Sequence, residues 1–371
     1  MFLNNLHFHH FIPDIINSIF FLITLIYLSI KYQIKKFFLI NLSVFLFTPF
    51  LFYFIFPWWL FPDQSKYADL VYNFRNLSYD DTDINFLTSR VEFASLILAF
   101  FPVPLITTII SVSLINKGIL YAIIFYFLNE KKYFLINLLL FLPSIIFFSS
   151  VALKEILVIS LAIVFFYIFL KKKNYLKSFF FAALLILVNP FFGCACLCMA
   201  VGYYIFFIKL NLNLINKISL KFFTVLIVIL FTAIFLAQDL LIGLREGFFS
   251  EEYGYQLLFR NENITISIIL KTFIQFLFSP LSTKDIYLWT IIIFIENLFL
   301  IYLVIILLKK IYKENQCKAI FWVITIMFLF IIYGFILFNA GTIWRYKFVA
   351  QIVIIFAMYF SLKNQKQINL L

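Results

Sequence analysis

"IYLWTIIIFIENLFLIYLVIILL", residues 286–308, is the stretch on which the fold turns. As a helix its 23 residues rise about 35 Å, enough to cross a hydrocarbon core of about 30 Å. One charge, Glu296, interrupts it midway, and Lys309 and Lys310 close it. Comparable apolar runs recur near residues 11–30, 37–56, 105–128, 133–150, 151–170, 219–238, 319–338 and 347–362. The composition agrees: 65% of residues are hydrophobic and 12% charged, against about 45–50% and 25% in soluble domains. The chain therefore reads as a polytopic membrane protein. Its 55 Phe, with many Ile, Lys and Asn, fit an AT-rich coding sequence better than an aromatic function.

Charge position sets the expected topology. The net charge of +12 is concentrated in short polar segments: Lys31, Lys35 and Lys36; Lys131 and Lys132; Lys171, Lys172, Lys173 and Lys177. The series continues with Lys209, Lys217 and Lys221, then Lys309, Lys310, Lys313 and Lys318, and finally Lys363 and Lys366. By the positive-inside rule these segments are cytoplasmic, so the basic balance marks topology and not a nucleic-acid partner. The stretch 177–208 lies between two of them and is broken by "NPFFG" at 189–193, which predicts two short helices or a re-entrant hairpin. The expected fold is an all-α transmembrane bundle of about 11 membrane segments forming one integral-membrane domain over 1–371, N-terminus outside and C-terminus cytoplasmic.

Two long segments then fall on the extracytoplasmic side, 57–93 and 239–285. Trp58 and Trp59 suit an interfacial anchor, and 264–281, with Lys271 and Gln275, suits a helix lying along the membrane. On this topology 14 of the 17 acids are outside, as are all five arginines, Arg75, Arg90, Arg245, Arg260 and Arg345. Arginine is the side chain for bidentate phosphate or carboxylate recognition, and as a set these favour a phosphate-bearing ligand. The alternative is that each pairs with loop acids to hold the loops folded.

"PSIIFFSSVALKEILVIS", residues 143–160, sets Lys154 and Glu155 side by side in an apolar run. The threading puts Ser149 and Ser150 at an outer turn, with Ser150 capping the next helix. Lys154 and that helix N-terminus then form an anion site, while Glu155, on another face, is free to hold an arginine. A snorkelling lysine beside a helix-starting glutamate is the plainer reading. Lys117, midway along 105–128, and Glu296 are expected to neutralise each other, a proton relay being the sharper alternative. Cys194, Cys196 and Cys198 alternate at about 200° on a helix and do not converge on one metal. His7, His9 and His10 lie in a short tail, and neither G-x-x-x-x-G-K-[ST] nor G-x-G-x-x-G occurs.

Three segments carry a resemblance. "FPDQSKYADLVYNFRN" (61–76) is similar to the first extracytoplasmic loop of GT-C-type membrane glycosyltransferases and related O-antigen or capsule polysaccharide polymerases, where an acid precedes a tyrosine just after a transmembrane helix. "LPSIIFFSSVALKE" (142–155) resembles their Pro-Ser…Ser…Lys-Glu segment, and "NAGTIWRYKF" (339–348) the Asn-Gly-Thr…Arg-Tyr segment before their last helix. In those enzymes the acidic loop follows the first helix, whereas here it follows the second.

The resemblance implies an enzyme of the bacterial inner membrane that takes a polyprenyl-phosphate- or diphosphate-linked sugar to a saccharide acceptor on the outer face. Asp63 would be the base that deprotonates the acceptor hydroxyl, with Tyr67, Glu155 and Tyr346 in support. Lys154, Arg345, Arg75, Arg245 and Arg260 would meet the lipid phosphate. A helix-capping role for Asp63 stands beside that reading. No cofactor is implied; Asp80, Asp81 and Asp83 read as an acidic turn ahead of a divalent-cation or sugar-binding Asp-x-Asp. The other class is a transporter or flippase of lipid-linked saccharides without covalent chemistry, for which one broken segment at 189–193 speaks and the large asymmetric outer loops speak against.

Overall fold

The computed structural model describes residues 11–34, 36–55, 63–77, 90–106, 108–209, 273–274, 276–278, 288–336 and 340–362. Among these, every regular element is helical. Six helices are long and apolar enough to cross a membrane, seven if one bent pair counts as a single span. This is an all-α, multi-pass membrane protein. The expected segment at 219–238, most of the loop 239–285 and the 78–89 part of the first loop lie outside the described residues. The described chain forms two compact units: Met1–Val164 with Phe179–Gly193 and Lys366–Leu371, and Phe165–Ser178 with Cys194–Gln365.

In the first unit, α1 (Ile12–Lys31) is turned inside out relative to a helix of a soluble protein. Its buried stripe is Asp14, Asn17, Ser18, Phe21, Leu25 and Ser29, while Ile12, Ile16, Ile19, Ile23 and Ile30 are exposed. Polar groups inward and isoleucines outward is the arrangement a lipid solvent selects. α1 packs on α6 (Ile109–Asn129), which is far more enclosed than α1 itself. Asp14 meets Ser111, and a Cβ on Gly118 would meet the ring of Phe21, so the two helices run in the same direction. Two spans separated by a single return must do so.

That return, expected over 37–56, is two helices, α2 (Lys36–Leu46) and α3 (Thr48–Ile55). Pro49 lacks the N–H for the bond to Phe45, so the helix stops at Phe47. Between α3 and α6, α4 (Asp63–Asn76) and α5 (Arg90–Ala99) pack together. Pro143 likewise bends the expected 133–150 span by 65° into α7 (Tyr133–Phe141) and α8 (Pro143–Ser150). α9 (Glu155–Phe166) continues into a π-helical turn, Tyr167–Lys172, ended by Lys173 at φ 51°. "NPFFG" divides α10 (Tyr175–Val188) from α11 (Pro190–Tyr203), as its proline requires. Asn189 caps α11 by accepting the Phe192 N–H at 3.3 Å.

In the second unit, α12 (Leu288–Glu314) and α13 (Gln316–Ile336) pack with each other and with α14 (Ala340–Ser361), which is the most enclosed. The π-turn packs on α14 through Tyr167 and Phe360, and Lys171 Nζ donates to the Leu362 carbonyl at 2.8 Å. Lys318 lies over the rings of Tyr203 and Phe207 at the base of the same unit.

Candidate functional site

The most unusual backbone in the first unit is Val151–Lys154. It joins α8 to α9 without helical structure, contains neither proline nor glycine, and is buried throughout. Its polar groups are met by distant residues. Asn116 Nδ2 donates to the carbonyls of Val151 at 2.8 Å and Leu153 at 2.7 Å, and Gln64 Oε1 accepts the Ala152 N–H at 3.3 Å. The Leu153 N–H turns back to the Val151 carbonyl, and the Lys154 carbonyl accepts from Val158 to start α9. Lys117 Nζ donates to Ser149 Oγ at 2.7 Å, so a hydroxyl, not a carboxylate, receives that ammonium. Thr48 Oγ1 and Ser150 Oγ, 2.6 Å apart, tie the α2–α3 break to the same tip.

Asn116 is seven residues, or about 10 Å, along α6 from its first residue. The α8–α9 turn therefore packs beside α6 about two turns in from the start of that helix. Irregular backbone within a membrane bundle persists only where protein encloses it or a cavity adjoins it. Both hold here. A small cleft lined by Pro49, Phe52, Tyr53, Gln64, Ile109, Ser113, Ser150 and Val151 adjoins the tip, with room for one water at most.

Two of the resembling segments meet at this tip. Gln64, 5% exposed, reaches it from the first turn of α4, whose first residue is the exposed Asp63. Tyr67 is buried one turn on. Lys154 and Glu155 are both buried; Lys154 Nζ donates to the Val188 carbonyl at 3.0 Å, at the C-terminus of α10, where the helix dipole favours a cation. Ser150 does not cap α9. It ends α8 and its hydroxyl donates to Ile146 at 2.6 Å, because the helix restarts only at Glu155.

The arginines divide. Arg75 donates to the carbonyls of Ala99 at 3.4 Å, Phe101 at 3.1 Å and Val103, so its guanidinium ties α4 to the chain leaving α5. Arg90 opens α5. Arg345 and Tyr346 are half-buried in α14 of the second unit, Tyr346 lying 6.0 Å from the Tyr333 ring. Arg245, Arg260, Asp80, Asp81, Asp83 and the three histidines lie outside the described residues. Cys196 is buried while Cys194 and Cys198 are exposed, as their spacing on α11 dictates.

Neither protein-family models, curated proteins nor solved structures gave a match to the chain.

Sequence reasoning passed over two polar groups. Asp14 is fully buried: Thr108 Oγ1 donates to its carboxylate, at 2.9 and 2.8 Å from the two oxygens, and Ser111 Oγ donates at 2.6 Å. Its signal was an acid inside an apolar 20-residue helix. In the second unit the Leu277 carbonyl accepts both Lys347 Nζ at 2.7 Å and Asn297 Nδ2 at 2.8 Å, and Gln351 Nε2 donates to Asn297 Oδ1 at 2.7 Å. Asn297 and Gln351 gave the signal there, as amides on membrane helices.

Proposed function

We propose that the chain transfers a sugar from a polyprenyl-phosphate- or diphosphate-linked donor to a saccharide acceptor at the extracytoplasmic face, as a glycosyltransferase or polysaccharide polymerase. The hydrogen bond from Ala152 N–H to Gln64 carries this reading. It joins the Asp63–Tyr67 segment to the Pro143–Glu155 segment, two of the three places on which the resemblance rests. Asp63 is the exposed carboxylate beside that junction and serves as the base. Lys154, Glu155, Arg345, Tyr346, Arg245 and Arg260 complete the proposed donor and supporting set. Arg75 acts through the loop it holds.

Purified protein reconstituted with polyprenyl-linked sugars and a saccharide acceptor tests this. Asp63→Asn should slow transfer by about 10²-fold or more, while Asp69→Asn, an exposed acid on the same helix, should leave it near wild type. Equal rates for Asp63→Asn and wild type would remove Asp63 from the mechanism. Lys154→Ala should weaken donor binding with helicity retained.

The broken helices on either side of the tip favour a second reading, transport or flipping of a lipid-linked saccharide, since transporters place broken helices around their site. Movement of labelled donor across the bilayer without a glycosidic product would select it.

A further inference from the structure

We propose that Asp14, Thr108 and Ser111 form an intramembrane proton-binding site, which both functional readings leave unassigned. Asp14 is 0% exposed, within the first turn of a membrane-spanning helix, and its carboxylate is bonded to two hydroxyls at the start of α6. A guanidinium or main-chain N–H can only donate, and would fix the group as a carboxylate. A hydroxyl donates or accepts.

As a carboxylate, Asp14 accepts hydrogen bonds from the Thr108 and Ser111 hydroxyls, and the α6 N-terminus favours its charge. Thr108 is free to donate because its oxygen, and not its hydrogen, caps α6 by accepting the Ser111 N–H at 3.1 Å. When Asp14 takes up a proton, the new O–H is donated to Ser111 Oγ, Ser111 turns its own hydrogen to Thr108 Oγ1, 3.4 Å away, and Thr108 still donates to the C=O. The site is satisfied in both states, and nothing but the proton and the hydroxyl rotors need move.

No neighbouring cation fixes the charge among the described residues. On α1 itself the remaining ionisable groups are Tyr27 and Lys31, towards the far end. From α2, Lys36 stands at that same far end. From α6, Lys117 lies about two turns further along and is turned to Ser149, and Tyr121 donates to the Leu42 carbonyl; Tyr126 is exposed beyond them. Tyr53 of α3 is the ionisable group within electrostatic reach. Asn17 is occupied by both main-chain groups of Leu105. The small cleft lined by Tyr53, Ile109 and Ile110 runs alongside the first turn of α6, next in the chain to Thr108 and Ser111.

Infrared difference spectra of the full chain in nanodiscs, between about pH 5 and pH 9, read the site directly. The account expects a protonated-carboxyl C=O band that grows on acidification, disappears in Asp14→Asn and is displaced in Ser111→Ala, where one hydrogen bond to the group is lost. The band should not respond to sodium at fixed pH. An unchanged difference spectrum in Asp14→Asn would overturn the proposal, as would a band that follows sodium. Should Asp14→Asn fail to fold, Ser111→Ala decides: a displaced band supports the site and an unmoved one rejects it.

Discussion

Asn116 holds the irregular tip by donating both of its amide hydrogens to main-chain carbonyls, at 2.8 and 2.7 Å. Asn116→Ala leaves two buried carbonyls without these donors, and should lower stability by about 2–3 kcal/mol in a detergent unfolding experiment. A melting point equal to wild type would mean that the tip does not depend on Asn116. Nothing local in the sequence announces this role, because the partners are 35 and 37 residues away. Lys154 illustrates the same limit. Its place in an apolar run was legible, yet its carbonyl partner, Val188, belongs to a helix whose packing against the tip no pattern encodes. Asp14 was visible as an acid in a span, but the hydroxyls that give it chemistry come from residues 94 and 97 positions on.

Of the three breaks that a proline causes, one was read from the sequence, while 37–56 and 133–150 were expected as single spans. "NPFFG" was read as a break and is one; Pro49 and Pro143 act by the same chemistry at Phe47 and Leu142. The break between α8 and α9 was placed at Ser149–Ser150 by the threading of spans between lysine clusters; it falls at Val151–Lys154, a few residues on, where no proline or glycine marks it and tertiary hydrogen bonds hold it. The junction of α10 and α11 depends on Gly193, where a Cβ would come 2.6 Å from the Ile186 backbone. Gly193→Ala should therefore destabilise by about 1–3 kcal/mol, and by more than Gly202→Ala, whose nearest neighbour is a Phe321 ring atom at 3.3 Å. Equal melting temperatures for the two variants would contradict that packing. Lys173 ends its π-turn at φ 51°, a conformation that suits glycine. Lys173→Gly should gain about 1 kcal/mol, read from the same unfolding curves.

Composition and lysine placement carried the membrane assignment and the all-helical class, because a lipid solvent acts on whole segments and leaves a coarse signal. The parallel run of α1 and α6 follows from that same pattern of alternating spans. Sidedness can be measured by single cysteines in a cysteine-free background. Position 66, on exposed α4, should label from outside, and position 174 only after permeabilisation. The reverse pattern would invert the proposed topology. Function was legible only as resemblance, since the groups that would carry it are scattered over segments far apart in the chain. The central claim, sugar transfer dependent on Asp63 at the outer face, is most directly tested by profiling lipid-linked saccharides in cells whose own copy is replaced by Asp63→Asn. The account predicts that the unextended polyprenyl-linked saccharide accumulates and its elongated product is lost. A profile indistinguishable from wild type would contradict it.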